Sequence, residues 1–97
     1  MVTDDTLSWL QQWYRSQCDG EWEHGSGVRI DTLDNPGWSV EADVGAIPTP
    51  NPVSEERSDD DWVRCEVKEG RFYGHGGPGN LQEVLEVLRT WVAASRS

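Results

Sequence analysis

The hydrophobic pattern of this chain changes period twice, and that change limits the folds open to it. Near the amino terminus Leu7, Leu10, Trp13 and Tyr14 recur at three- and four-residue spacing, with Trp9 beside them. This spacing predicts an amphipathic helix from about Asp5 to Gln17. Asp4, Asp5 or Thr6 is placed to cap its start, where acids also suit the positive end of the helix dipole, and Gly20 is the expected stop. Near the carboxyl terminus Leu81, Val84, Leu85, Leu88, Trp91 and Val92 form one apolar stripe, which predicts a second helix. Asn80 and Glu83 approximate a capping box at its start, with Asn in place of the usual Ser or Thr.

Between these helices the period is two. In Val28-Arg29-Ile30-Asp31-Thr32 and again in Trp38 to Val44 the apolar residues take the even positions. Asp34-Asn35-Pro36-Gly37 lies between them, with proline and glycine where a type II turn wants them. These segments predict one hairpin. Val63, Cys65 and Val67 alternate with Trp62, Arg64, Glu66 and Lys68, and Glu69-Gly70 offers a turn before Arg71-Phe72-Tyr73, which predicts a second. Gly45 to Pro52, with Pro48, Pro50 and Pro52, reads as an extended loop, and Val53 to Ser58 is open to reading as loop or as a short edge strand. An alternating antiparallel sheet buries one face, and two amphipathic helices are the only cover available. The predicted architecture is α+β and two-layered, with the N- and C-terminal helices on one face of a four- or five-stranded antiparallel sheet. Ninety-seven residues suit one domain over residues 1–97.

The formal charge is −10, from 18 acidic and 8 basic side chains. A field of that sign repels nucleic acid and anionic membranes and favours a cationic partner. The charge is uneven. Asp19, Glu21 and Glu23 form one acidic stretch, and Glu55, Glu56, Asp59, Asp60 and Asp61, with Arg57 among them, form another. Each precedes a hairpin, which suggests related edges of the sheet. No basic-then-apolar leader opens the sequence, and no apolar run approaches the roughly 18 residues of a membrane span. With two cysteines and no disulfide framework, the expectation is a cytoplasmic protein with reduced thiols.

Three blocks carry a family resemblance: Leu7-Ser-Trp-Leu-Gln-Gln-Trp-Tyr14, Gln17-Cys-Asp-Gly-Glu-Trp-Glu-His24 and Thr32-Leu-Asp-Asn-Pro-Gly-Trp38. It continues through Glu56-Arg57-Ser58, Asp60-Asp61-Trp62 and the glycine-proline loop before the last helix. On these residues the chain resembles the immunity protein 53 family of bacterial polymorphic toxin systems, with Trp22, His24, Asn35, Pro36, Gly37 and Trp38 as its most specific motif positions. The resemblance departs at the proline-rich Ala46 to Pro52. It implies an α+β immunity protein, encoded beside a toxin that it neutralises by binding, and does not identify that toxin.

The residues themselves offer further chemistry. Arg29, Asp31, Glu41, Asp43, Arg64, Glu66, Lys68 and Trp62 alternate onto the uncovered face. Tryptophan there fits a binding hot spot, or packing beneath the proline-rich loop. The residues expected to meet a partner are Glu21, Glu23, Asp34, Asp43, Asp60, Asp61 and Trp62, since clustered carboxylates speed encounter with a basic surface. An enzyme would need Cys18 as nucleophile with His24 as base, but Asp19, Glu21 and Glu23 disfavour a thiolate. Cys18, His24, Cys65 and His75 are zinc-ligand types at no familiar spacing. Gly74-His75-Gly76-Gly77-Pro78-Gly79 lacks the lysine of a phosphate loop, and its glycines suit unusual backbone angles. The expectation is therefore a binding protein, not an enzyme, with neither cofactor nor metal. It would be a monomer or weak dimer whose partner is a toxin domain with a basic surface, and neither nucleic acid nor membrane. A carboxylate track that mimics nucleic acid toward a nuclease is the alternative form of that function.

Overall fold

The computed structural model describes residues 5–45, 47 and 50–94. The cap candidate Asp4, the loop residues Ala46 and Pro48 and the end of the tail at 95–97 lie outside them. The described elements run α1 (Thr6–Gln17), α2 (Trp22–Gly25), β1 (Val28–Leu33), β2 (Gly37–Asp43), β3 (Val53–Ser58), β4 (Asp61–Lys68), β5 (Arg71–Gly76) and α3 (Leu81–Ala94). The fold is α+β, with an open antiparallel sheet of five strands, so Val53–Ser58 is a strand.

The cap of α1 is Asp5, whose carboxylate accepts the Ser8 N–H at 2.7 Å. That bond holds the Asp5 carboxyl below its usual range. The helix ends as Cys18 turns extended, and Gly20, at φ +97°, then turns the chain into α2. This single-turn helix contains the Trp-Glu-His block. Asp19 accepts the Glu21 and Trp22 N–H groups, and Glu23 returns the arrangement by accepting those of Asp19 and Gly20.

The strand order is β1-β2-β5-β4-β3. The two expected hairpins form, but β5 is inserted beside β2, so the chain must carry β3 to the far edge. From the end of β2 to the start of β3 is a span of three strand spacings, or about 14 Å. Val44 and Gly45 donate to the Gly70 carbonyl in the β4–β5 turn (2.9 and 3.2 Å), tying the crossing to the turn it passes. In that turn Glu69 and Gly70 both have positive φ (53° and 78°), as a two-residue type I′ hairpin requires. Gly37, by contrast, is not among the positive-φ glycines, so the β1–β2 turn is not the expected type II. Glycine is needed there for another reason: a Cβ at Gly37 would sit 2.5 Å from the Gly76 carbonyl oxygen.

The buried face joins Val40 and Ala42 of β2, Phe72 of β5 and Val63, Cys65 and Val67 of β4 to Val84, Leu85, Leu88 and Val92 of α3. Burying each of the large aliphatic and aromatic chains contributes roughly 1.5–3 kcal/mol. α3 lies on the central strands and packs close to β5, because Gly74 and Gly76 present no side chain beneath it. A Cβ at Gly74 would be 2.5 Å from Val84 Cγ1. Gly74, Gly76 and Gly77 therefore serve close approach, and not unusual backbone angles, since none of the three has positive φ. α1 adds Leu10 and Trp13 to the same core and rests against α3, with Arg89 over the Trp9 ring. Trp22 meets Trp13 and Tyr14 edge-on, so it belongs to the helix layer. Ile30, expected under a helix, lies on that face but stays 38% exposed, because α1 does not extend fully over the β1 edge.

Candidate partner-binding surface

The face away from the helices is set by register. Across the sheet, Arg29 stands opposite Glu41 and Glu41 opposite Tyr73, which in turn faces Glu66. The next row runs Asp31, Ser39, His75, Arg64 and Ser54. Trp62 stands opposite Glu56 at one end, and Asp43, Arg71 and Lys68 form a row at the other. The acids here are Asp31, Glu41, Asp43, Glu56 and Glu66, and the bases Arg29, Arg64, Lys68 and Arg71. The face is thus close to neutral, and most of the net charge of −10 lies around and behind it.

Much of this charge is engaged internally. Arg71 bridges Glu41 and Asp43 at 2.9 and 2.8 Å, and Arg29 pairs with Asp31 at 3.0 Å. Two carboxylates on one guanidinium raise the Arg71 pKa. Trp62 is half-buried, with the Arg64 guanidinium carbon 5.9 Å from its ring centroid. This pair puts tryptophan and arginine, two types enriched at binding hot spots, side by side on an uncovered sheet.

The acids singled out from the sequence divide into two groups. Glu23 caps the turn before α2, and Asp43 holds Arg71 and the Gly27 N–H (3.0 Å). Asp61 accepts from Arg57 and from the buried amide of Asn80, and both bonds lower its pKa. These three stabilise the fold. Glu21 and Asp34 are exposed and have no side-chain partner among the described residues, and Asp60 accepts only from the Ser58 hydroxyl. Asp34 and Asp60 lie at one end of the sheet, in the β1–β2 and β3–β4 turns, with the loop after β5 between them. Glu21 enters β1 from the opposite end. The two acidic stretches therefore do not share an edge: inserting β5 between the hairpins sends β1 and β3 to opposite sides of the sheet.

Sequence reasoning did not place Arg71, Tyr73 or Ser54 on this face, and it singled out His75 only as a zinc-ligand type and Glu56 only within an acidic stretch. In Arg71-Phe72-Tyr73-Gly74-His75-Gly76 the alternation is real, but glycine fills two of its three buried positions and disguised it.

A model of the immunity protein 53 family matches residues 7–93. The chain belongs to the immunity protein 53 family. No curated protein and no solved structure matches it. Within this immunity protein the motif blocks have mainly structural places. Trp38 donates its indole N–H to the Pro78 carbonyl at 2.9 Å, joining β2 to the loop before α3, and Gly37 lets the backbone at the end of β5 approach. Asn35 and Pro36 are exposed in the β1–β2 turn, and His24 is exposed on α2.

The Cys18 thiol donates to the Tyr14 carbonyl (3.3 Å), turned into α1 and not toward His24. Cys65 is 2% exposed on the helix-covered face, whereas His75 lies on the uncovered one, and burial pushes the Cys65 thiol up to about 12. Among the described residues no group of three or more His, Cys, Asp or Glu is placed to hold a metal ion, and no described helix is long and apolar enough to cross a membrane.

Proposed function

We propose that this immunity protein neutralises a toxin domain by laying the uncovered face of its sheet against it, without turning over any substrate. Trp62, Arg64 and Tyr73 are the anchors of that contact. Asp34, Asp60 and Glu56 form a rim that draws in a basic toxin surface. Charge at a rim acts mainly on association rate and partner choice, while desolvated aromatic and arginine side chains at the centre carry the affinity. Work in the cytoplasm, where the thiols stay reduced, suits the two free cysteines.

The observation that carries this reading is the pairing of Trp62 with Arg64 on a sheet face that no described helix covers. Binding without chemistry is supported by the family and by the engagement of Cys18 with its own helix. The internal bonds of Asp43 and Asp61 favour discrete contacts over a continuous carboxylate track that imitates nucleic acid. The test is co-purification with the toxin encoded by the adjacent reading frame, followed by rescue of cells producing it. Complex formation and survival are expected. Survival equal with and without the immunity protein would contradict the reading.

A further inference from the structure

The uncovered face is concave in places. A cleft of about 250 Å³ opens between β3, β4 and β5, lined by Pro52, Ser54, Arg64, Glu66, Tyr73 and His75. Its chemistry differs from its surroundings. On β1 and β2 the face-side carboxylates are held by Arg29 and Arg71. In the cleft the side chains of Ser54, Glu66, Tyr73 and His75 have no hydrogen-bond or ion-pair partner among the described residues. Arg64 is drawn toward Trp62, and Lys68, on the other side of Glu66, forms no ion pair with it. A carboxylate is thus left unpaired beside an aromatic ring, in a hollow with an apolar wall, on a protein whose field favours cations.

We infer that this cleft is the socket for one arginine side chain of the toxin; the inference rests on the binding reading above and names the contact at its centre. The planar guanidinium matches the Glu66 carboxylate in a two-point hydrogen bond and stacks on the Tyr73 ring. Its stem lies along Pro52, and the Ser54 hydroxyl and His75 ring nitrogen accept remaining N–H groups. Arg64 closes the hollow on the Trp62 side, so the socket admits a chain entering over β3 and β4.

The test measures affinity for the toxin domain of the adjacent reading frame by calorimetry, using wild type, Glu66→Gln and Glu86→Gln. Glu86→Gln removes the same charge from the helix layer. Glu66→Gln is expected to bind about tenfold more weakly and Glu86→Gln within about twofold of wild type, with all three melting alike. Toxin surface arginines are then changed singly to alanine. One of them should weaken binding to wild type while adding little to the loss from Glu66→Gln. Wild-type affinity in Glu66→Gln, or additivity with every toxin arginine, would overturn the socket. Failure of the wild type itself to bind is a different result, and overturns the binding reading along with it.

Discussion

Arg57 on the edge strand β3 reaches Glu83 in the first turn of α3, its Nη2 2.6 Å from Oε1. The same guanidinium bonds Asp61, and the buried Asn80 amide donates to both carboxylates at 3.0 Å, closing a ring of four side chains. Asn80 Oδ1 also accepts the Trp62 N–H. The expected capping box thus has a different use: Asn80 turns its side chain to the β3–β4 hairpin, and Glu83 meets that side chain.

This ring predicts a pH dependence. Arg57 and Asn80 lower the pKa of both Asp61 and Glu83. Groups with folded pKa below the unfolded value stabilise above the ordinary carboxylate range and lose that stabilisation as pH falls through the folded pKa. Arg57→Gln should therefore melt below wild type near pH 7, and the gap should narrow on acidification toward about pH 2. Comparing the two proteins removes the relief of self-repulsion that acid brings to both. A gap independent of pH would contradict this account.

Gly74 is a packing prediction. An added methyl meets Val84 Cγ1 at 2.5 Å and Phe72 Cε2 at 2.7 Å, both fixed in the core. Gly74→Ala should cost about 2 kcal/mol and lower the melting temperature by roughly 10 °C. Gly79→Ala, with nothing within 4 Å, should melt close to wild type.

The two thiols should differ in reactivity. Cys65 is buried with its pKa raised to about 12, so it carries almost no thiolate at mildly alkaline pH. Mass spectrometry after brief iodoacetamide treatment of the native protein should find alkylation at Cys18 and none at Cys65. Both should react after unfolding.

How much of this is legible in the sequence depends on range. The stripes Leu7/Leu10/Trp13 and Leu81/Val84/Leu85/Leu88 gave both long helices, because helical spacing is local. Alternation gave the two hairpins and placed Trp62 and Arg64 on the uncovered side. Pairing of β2 with β5 was not legible, since Trp38 and Gly76 are far apart in the chain and nothing local specifies their register. Nor does sequence distinguish Asp61, bound by Arg57 and Asn80, from Asp60 one residue away, which faces solvent. That difference arises only when α3 returns over the sheet.

The same distinction shapes the kinetic prediction. Asp61 is unsuited to charge replacement because its loss opens the Arg57 ring, whereas Asp34 and Asp60 can be neutralised without disturbing the core. Asp34→Asn combined with Asp60→Asn should slow association with the toxin about three- to tenfold at low ionic strength, with a shallower salt dependence. Dissociation should change less. Stopped-flow measurements over a range of salt check both expectations.

Which of the two layers the toxin covers can be measured directly. Hydroxyl-radical footprinting of the free protein and of its complex reads both layers at once. Trp62 and Tyr73 report on the uncovered sheet, and Tyr14 and the 60% exposed Leu7 on the outside of α1. Complex formation is predicted to protect Trp62 and Tyr73 and leave Tyr14 and Leu7 as reactive as before. Protection of Leu7 and Tyr14 with Trp62 and Tyr73 unchanged would contradict it.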